Sequence, residues 1–271
     1  MSFGPIDARE LIAFYLDAGI DAVLGEEPIN RLTEEPVAPP PKMAAQPANP
    51  PSSVLSRQAA DRTFFQSAAP PSPDVAIMAA RAAAKNAANL EELRALLENF
   101  EGCTLRSTAT QLVFADGNPQ ARLMFVGEAP GYEEDVTGRP FVGRSGRLLD
   151  RMIAAIGLDR GGVYIANIVP WRPPGNRTPT PQETAICLPF IRRQIELADP
   201  DILVCLGQPS TQALLGTKDG ITRTRGRWHN YHTGAREIRA LPTFHPAFLL
   251  RSPLQKRFAW RDFLAIKKAL A

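Results

Sequence analysis

The chain has 271 residues, of which 44% are hydrophobic, and this is enough to bury one full core. No apolar run reaches the length of about 18 residues that a membrane-spanning helix needs, and the acidic first ten residues do not resemble a signal peptide. Three cysteines without disulfide-framework spacing are typical of a reducing compartment. The composition therefore argues against a membrane or secreted protein and favours a cytoplasmic one.

Charge is distributed unevenly along the chain. Residues 1–75 carry five basic and ten acidic side chains, whereas residues 76–271 carry 26 basic and 18 acidic ones. The overall net charge of +3 therefore conceals an acidic N-terminal part and a basic remainder. A basic body is typical of proteins that bind a polyanion such as DNA, but a solvated basic surface explains the same count equally well.

Two segments precede the main domain. Apolar residues at helical spacing between Asp7 and Leu24 predict an amphipathic helix within residues 1–30, which packs on the main domain or on a partner protein. Proline, alanine, serine and glutamine dominate residues 31–75, which indicates an extended linker. The main domain is predicted to span residues 76–271.

The main domain alternates between strand patterns and helix patterns. The predicted strands lie at about 111–115, 121–126, 163–169, 201–206 and 238–244, and the predicted helices at about 76–99, 145–156, 180–198, 208–215 and 253–270. This alternation predicts an α/β fold, a three-layer α/β/α sandwich around a mostly parallel sheet. Ligands bind such sheets beyond the carboxyl ends of the strands, so the loops that follow the strands are the candidates for chemistry.

The first of these loops follows an apolar run that ends at Val126. It begins Gly127-Glu128-Ala129-Pro130-Gly131 and continues through Glu133-Glu134-Asp135 to Gly138-Arg139-Pro140-Phe141-Val142-Gly143. Glycines let a backbone approach a ligand closely, a carboxylate can orient a water, and an aromatic ring can face a flat ligand. A core position is the usual one for a Phe, but Phe141 lies between proline and glycine rather than on a periodic apolar face, which strengthens the case for a stacking role.

Two later strands end in polar side chains. Asn167 closes one strand, and its amide can read one edge of a nucleobase, although a turn-forming Asn is the commoner case. His245 closes the last strand and is followed by Pro246. This arrangement suits donation to a developing negative charge, although most single histidines are structural.

Basic residues accompany both strand ends. Arg172 and Arg177 lie on a loop rich in proline and glycine, where arginines hold phosphates or remain ordinary surface residues. Residues 247–253 combine apolar side chains with Arg251. This segment either wedges into stacked bases or forms the buried start of the last helix.

Taken in order, these motifs resemble those of the uracil-DNA glycosylase superfamily. The motifs are Gly127-Glu128-Ala129-Pro130-Gly131, Glu134-Asp135, Gly138-Arg139-Pro140-Phe141-Val142-Gly143, Asn167, Arg172-Pro173-Pro174-Gly175-Asn176-Arg177 and His245-Pro246. The resemblance covers about residues 100–271 and is strongest to the family 4 type of bacteria and archaea. It implies a monofunctional, monomeric enzyme that flips uracil out of DNA and hydrolyses its glycosidic bond, which initiates base-excision repair.

The resemblance also implies a role for individual residues. Phe141 would stack on the uracil, Asn167 would bond its Watson–Crick edge, and His245 would support the O2 atom as charge builds on the leaving base. The residues whose backbone would line the uracil pocket are Gly127, Ala129 and Gly131. The implied DNA contacts are Arg144, Arg172, Arg177, Leu249 (with Leu250 as its alternative) and Arg251.

The residues available to activate the water differ from those of the better-known uracil-DNA glycosylase family. Ala129 stands where that family has a catalytic aspartate, so Glu128 is the first candidate for orienting or activating the water and Glu134 is the second. In a dissociative step, stabilisation of the departing anion matters more than base strength. Gly131 stands where a tyrosine elsewhere blocks the thymine methyl group, and the hypothesis is that Glu134 performs this exclusion.

The cysteines depart from the family 4 pattern as well. Enzymes of that type hold a [4Fe–4S] cluster with four cysteines, and Cys103 and Cys187 match two of these positions. Phe100 and Trp171 occupy the other two, and Cys205 lies in a predicted buried strand. Because such a cluster needs four thiolates, we expect a protein without metal in which aromatic packing replaces the cluster.

Two other functions fit parts of the sequence. Some relatives in the superfamily bind uracil-DNA, or stay covalently attached to it, and carry a Gln after the motif Glu together with a basic loop that has a reactive His. Ala129 argues against this function, whereas the basic stretch Arg223–His229 leaves it open. A phosphate-binding loop at Gly143-Arg144-Ser145-Gly146 is a weaker hypothesis, since it lacks the Gly-Lys-Ser/Thr ending.

Overall fold

The computed structural model describes residues 73–271, and the predicted N-terminal helix and nearly all of the predicted linker lie outside them. The helices are α1 (Pro73–Asn86), α2 (Leu90–Glu98), α3 (Leu105–Thr108), α4 (Tyr132–Thr137), α5 (Arg144–Ala155), α6 (Pro181–Ala198), α7 (Gln208–Leu215), α8 (Ile221–Thr224), α9 (Pro246–Arg251) and α10 (Lys256–Leu270). The strands are β1 (Asp116–Gly117), β2 (Leu123–Gly127), β3 (Tyr164–Asn167), β4 (Ile202–Leu206), β5 (His229–His232) and β6 (Glu237–Thr243). Within residues 73–271, no helix has the length and apolar character needed to cross a membrane.

The six strands form one sheet in the order β1-β3-β2-β4-β6-β5. The four central strands run parallel, and the short strands β1 and β5 pair antiparallel at the two edges. Strands β2, β3 and β4 are buried along their whole length, as expected for parallel strands covered by helices on both faces. This arrangement confirms the predicted α/β/α sandwich with a mostly parallel sheet.

Alternation along β2 divides the core into two layers. Met124 and Val126 pack into a cluster with α1, α2, α6 and α7, whereas Leu123 and Phe125 face the opposite layer, formed by α5 and α10. Successive side chains of a strand point to opposite faces, so one apolar run supplies both layers. Each fully buried aliphatic or aromatic side chain contributes about 1.5–3 kcal/mol to folding. The buried strands are therefore held in place, and so are the polar residues at their ends.

Several predicted elements differ from the structure. The helix expected over residues 76–99 is two helices, because the Asn89 side chain caps α2 by accepting a hydrogen bond of 2.8 Å from the backbone N–H of Glu92. Residues 111–115, all within the described range, form no strand, and the edge pairing with β3 begins at Asp116. Residues 246–251 form the separate helix α9, so they are not the start of the last helix, α10.

The ends of the parallel strands place the predicted motifs together. Gly127 at the end of β2 lies in register with Asn167 at the end of β3, and His245 follows β6 two residues after Thr243. Since these strands are parallel, their carboxyl ends meet at one edge of the sheet. The loops that follow β2, β3 and β6 therefore lie next to one another.

Candidate active site

A cavity of about 200 Å³ lies at the carboxyl ends of β2, β3 and β6. This volume is smaller than the usual range of drug-sized pockets and suits one small planar ring. The predicted site residues that line it are Glu128, Ala129, Gly131, Glu134, Phe141, Asn167, Arg177 and His245. The lining residues that received no predicted role are Pro130, Ser145, Pro173, Asn176, Thr178 and Pro179.

Gly127 allows two side chains to meet beside this cavity. A Cβ atom placed on Gly127 would lie 2.4 Å from Asn167 Oδ1 and 2.5 Å from Phe141 Cζ. Neither atom can move freely, because Asn167 is 5% exposed and Phe141 is 4% exposed. A glycine is therefore required for the amide and the ring to come together here.

The Asn167 side chain presents an unpaired acceptor. Its Oδ1 atom is buried and has no hydrogen-bond partner among the described residues. A buried polar atom without a partner costs about 1–3 kcal/mol, and such atoms are rare in native proteins. This oxygen is therefore positioned to accept a hydrogen bond from the N–H group of a ligand.

His245 is a neutral hydrogen-bond donor. Its Nδ1 atom accepts a hydrogen bond of 3.1 Å from the backbone N–H of Ala247, so the neutral ring carries its proton on Nε2. Burial, with a further contribution from the positive charge of Arg251, lowers the pKa of His245 to about 4. The ring centroid lies 5.5 Å from that of Phe141. At neutral pH the site therefore offers an uncharged Nε2–H group beside an aromatic ring.

Two carboxylates line the cavity, and Glu128 is the one with fewer hydrogen-bond partners. Burial raises the pKa of Glu128 above its usual value of 4.5, and a hydrogen bond with Thr178 offsets only part of the rise. Its Oε1 atom is buried and has no hydrogen-bond partner in the part of the chain that the structure describes. A partly desolvated carboxylate with one unengaged oxygen can bind and polarise a water molecule.

Glu134 is held quite differently. Its Oε2 atom accepts a hydrogen bond of 3.0 Å from the backbone N–H of Gly131. Its Oε1 atom accepts bonds of 3.0 Å and 2.9 Å from the N–H groups of Val142 and Gly143. One carboxylate thus ties together the two loops that form the wall of the cavity.

The predicted DNA-contacting arginines differ in their contacts. Arg177 forms a paired contact with Glu183, with nitrogen–oxygen distances of 2.8 Å and 2.7 Å, and this contact lowers the pKa of Glu183. Arg172 donates to Asn176 Oδ1 at 2.7 Å and lies 5.1 Å from the centre of the Tyr132 ring. The arginines exposed at the start of α5 and the end of α9 are Arg144 and Arg251.

The two leucines considered for the contact with DNA, Leu249 and Leu250, differ in burial. The Leu249 side chain is 0% exposed and packs with Phe244 and Ala259 in a small apolar cluster beneath α9. Its neighbour Leu250 is 37% exposed. Helix α9 therefore presents Leu250, rather than Leu249, to solvent.

The cysteines at the cluster positions lie together in the core. The Sγ atoms of Cys103 and Cys187 are 3.9 Å apart, and both side chains are buried. Phe100 and Trp171 are buried in the same apolar cluster, and Phe100 meets Phe190 edge-on with ring centroids 4.9 Å apart. Two thiols and two aromatic side chains do not supply the four thiolates of a [4Fe–4S] cluster, so the residues present do not fit this group.

Sequence reasoning gave no role to the short polar residues of the cavity. Ser145 and Asn176 lie within motifs that were singled out, and Thr178 directly follows one; only this position in the sequence could have identified them. His229, which belongs to the basic stretch Arg223–His229, does not line the cavity.

Comparison with known proteins gives a consistent result. A sequence model that describes the uracil DNA glycosylase superfamily matches residues 114–264. The type-4 uracil-DNA glycosylase of Thermotoga maritima is 47% identical over 151 residues, which cover 55% of this chain and 77% of the relative. Those of Sulfurisphaera tokodaii and Archaeoglobus fulgidus are 40% and 37% identical, and each alignment covers 66% of this chain and 84% or 92% of the relative.

Proposed function

The chain belongs to the uracil-DNA glycosylase superfamily, and we propose that its cavity holds a uracil flipped out of DNA while the glycosidic bond is hydrolysed. The protein is a uracil-DNA glycosylase that acts in base-excision repair. The observation that supports this use of the cavity is the meeting of a stacking ring, an unpaired amide oxygen and a neutral histidine donor in about 200 Å³.

Recognition of uracil rests on complementary groups. The Phe141 ring stacks on the base, and Asn167 Oδ1 accepts a hydrogen bond from the N3–H group of uracil. Flipping a base out of the duplex costs a few kcal/mol, and stacking with edge hydrogen bonds offsets this cost. Ala129 and Gly131 line the pocket, and Gly127 lies beside it, where a Cβ atom would meet Asn167 and Phe141.

The chemical step breaks the bond between C1′ of the sugar and N1 of the base. The bonding electron pair leaves with uracil, and the Nε2–H group of His245 stabilises the negative charge that develops on O2. Glu128 orients a water molecule toward C1′ and accepts its proton as the new C–O bond forms. The uracil anion then takes up one proton from water and Glu128 releases its proton to water, so the products are free uracil and an abasic site.

Glu134 shapes the pocket in this proposal. Its two oxygens are engaged by three backbone N–H groups, which makes Glu128 the better candidate for contact with water. Because Glu134 lines the cavity, we also propose that it blocks the methyl group of thymine. A Glu134→Ala variant that still ignores thymine in DNA would contradict this second role.

We assign the DNA contacts to four arginines and one leucine, of which Arg177 lines the cavity. Arg144, Arg172, Arg177 and Arg251 bind phosphates, and Leu250 takes the wedge role first considered for Leu249. Phosphate binding by arginines makes affinity fall as salt concentration rises. We propose further that the enzyme acts as a monomer in the cytoplasm, at the nucleoid, and that the N-terminal segment binds a protein partner.

The function is tested with a labelled oligonucleotide that contains one uracil. Incubation with the protein, followed by a denaturing gel with and without alkali, is expected to give strand cleavage that depends on alkali and continues over many turnovers. A band that is shifted upward and survives denaturant would instead identify a covalent binder. Intact DNA in both lanes would overturn the proposed activity.

The pH dependence of excision should report Glu128. The pKa of Glu128 is raised above 4.5. As the pH is lowered, Glu128 therefore becomes protonated before the pH reaches 4.5, and kcat/KM should fall with this protonation. His245 has a pKa of about 4 and stays neutral over the same range, so no inflection is expected near 6.5. Glu128→Gln should lower kcat/KM on the order of 10²-fold and flatten the acid limb, as measured by initial rates from pH 4 to pH 8.

The same substitution provides a control for damage to the fold. Since the carboxylate of Glu128 is partly desolvated and one oxygen lacks a partner, the Gln variant should unfold at an equal or higher denaturant concentration than the wild type at pH 7. An acid limb that is unchanged in the variant would remove Glu128 from the mechanism.

We further propose that this chain works without an iron–sulfur cluster. Protein purified without oxygen should therefore contain no stoichiometric iron or acid-labile sulfide. Replacing both Cys103 and Cys187 with alanine should leave uracil excision near the wild-type rate, because only two small buried side chains are lost.

Cys205→Ala is the matched control for this variant. Cys205 is a buried cysteine in β4 that lies outside the cluster positions, and its removal likewise creates a small void. The losses of stability per cysteine should be similar, on the order of 1 kcal/mol in urea denaturation. Stoichiometric iron, or unfolding of the Cys103/Cys187 variant alone, would contradict the proposal.

A further inference from the structure

We propose that Arg160, a residue outside the cavity, is a positioning residue that holds Phe141 against the flipped base. This inference rests on the proposed stacking role of Phe141. Arg160 lies in the short 3-10 turn Arg160–Gly162, after α5 and before β3. None of the motifs that point to the superfamily includes it.

Phe141 has a backbone conformation that it does not prefer. Its φ angle is +55°, in the left-handed region that residues other than glycine rarely adopt. Such strained conformations persist only where the surrounding contacts fix them, and they cluster at functional sites. The position of the Phe141 ring therefore depends on what fixes its own peptide groups.

Arg160 supplies that fixation through two successive carbonyl groups. Its Nη1 atom donates to the carbonyl oxygen of Phe141 at 3.0 Å, and its Nη2 atom donates to the carbonyl oxygen of Pro140. A guanidinium holds several donors in one rigid plane, so the two carbonyl groups are fixed relative to each other. The peptide group before Phe141 and the one after it are thus clamped by a single side chain.

The guanidinium is itself anchored on two carboxylates. Arg160 Nη1 donates to Asp150 Oδ1 at 2.7 Å, and Nε pairs with Asp116 Oδ2. Burial alone would raise the pKa of Asp116, but hydrogen bonds from Arg160 and Arg139 hold it below its usual value of 3.8. The Arg160 side chain is 20% exposed. The clamp is therefore a fixed ionic network that joins β1 and α5.

Helix α5 packs closely against the carbonyl group of Phe141 and restricts its movement. A Cβ atom placed on Gly146 would lie 1.8 Å from the Phe141 carbonyl oxygen. The carbonyl group therefore lies directly against the first turn of α5 while Arg160 holds its oxygen. The ring of the same residue packs near His245 and Gly127. Loss of Arg160 should release the backbone and let the ring leave its stacking position.

A double-mutant cycle tests this coupling. Arg160→Met is expected to lower kcat/KM for uracil excision about 10- to 100-fold, since small misplacements of a positioning group have effects of this size. In a Phe141→Ala background, the same substitution should change kcat/KM by less than about 2-fold, because there is no ring left to position. Arg160→Lys keeps the positive charge but loses the fork of donors, so it should give an intermediate loss.

The matched control is Arg122→Met. Arg122 also pairs with an aspartate, Asp201, at 2.6 Å and donates to a backbone carbonyl, that of Leu270, but it lies away from the cavity. This variant should excise uracil at the wild-type rate. An equal loss from Arg160→Met in the wild-type and Phe141→Ala backgrounds would mean a general structural role and would overturn the inference.

A measurement without catalysis separates this inference from the proposed function. In protein labelled with fluorophenylalanine, the 19F resonance that disappears in Phe141→Leu identifies the ring. That resonance should shift or broaden in Arg160→Met and stay in place in Arg122→Met. An unmoved resonance would refute the clamp even if uracil is excised, and a moved resonance would support it even if no uracil is released.

Discussion

Asn167→Ala should lower kcat/KM for uracil excision on the order of 10³-fold, because a site built to hydrogen-bond a polar ligand loses most of its discrimination when one partner is removed. The Asn167 Oδ1 atom is buried and unpaired among residues 73–271, and the variant leaves the N3–H group of uracil without an acceptor in a confined space. Single-turnover rates on an oligonucleotide with one uracil measure the effect.

Asn118→Ala is the control for this substitution. The Asn118 side chain is exposed and accepts a local hydrogen bond of 2.9 Å from the Gln120 backbone, so its loss should leave excision unchanged. Asn167→Ala should also fold at least as well as the wild type, because it removes an unpaired buried oxygen. A loss of less than 10-fold in a folded Asn167→Ala variant would remove edge recognition from the mechanism.

His245→Ala should lower kcat about 10²- to 10³-fold with little change in KM, which is the effect of losing a donor that acts on the charge developing in the transition state. The substitution removes the Nε2–H group and also the cap that Nδ1 provides to the Ala247 N–H at the start of α9. Steady-state kinetics on uracil-containing DNA separate the two parameters. An equal rise in KM at constant kcat would instead indicate a role in ground-state binding.

His232→Ala is a closely matched control. His232 Nδ1 accepts a hydrogen bond of 3.1 Å from the Gly234 backbone, the same local pattern at the same distance, but His232 is exposed on an edge strand. Because the pKa of His245 is about 4 when folded and 6.5 when unfolded, its contribution to stability is complete above pH 6.5 and is lost as the pH falls toward 4. That part of the pH dependence should vanish in His245→Ala and persist in His232→Ala.

The parallel strands and the residues at their ends could be predicted because each rests on a strong local pattern. The apolar run before Gly127 breaks into a loop with glycine and proline, which indicates a buried strand, and the strand before Asn167 has the same character. Strand β5 gave no such signal, since His229–His232 is polar and lies at an edge. Helix α4 is six residues long and lies inside a glycine-rich loop, so its periodicity is too short to detect.

Other features depend on three-dimensional arrangement that no local pattern encodes. The burial of Leu249 depends on the rotation of the six-residue helix α9 about its axis, which places Leu250 outward instead. The proton position on His245 depends on one backbone hydrogen bond. Arg160 escaped notice because its partners, Pro140 and Phe141, lie about 20 residues earlier in the chain.

The contacts of Glu134 have a consequence for how the pocket opens. Three amide hydrogens, those of Gly131, Val142 and Gly143, share one carboxylate as their acceptor, although they belong to two loops. Neither loop can swing away without breaking its bonds to the Glu134 carboxylate, so the two should exchange their amide hydrogens with solvent as a single unit. The cavity should therefore keep nearly the same shape when a base enters it. The conformational change that brings the base into the cavity should then occur mainly in the DNA.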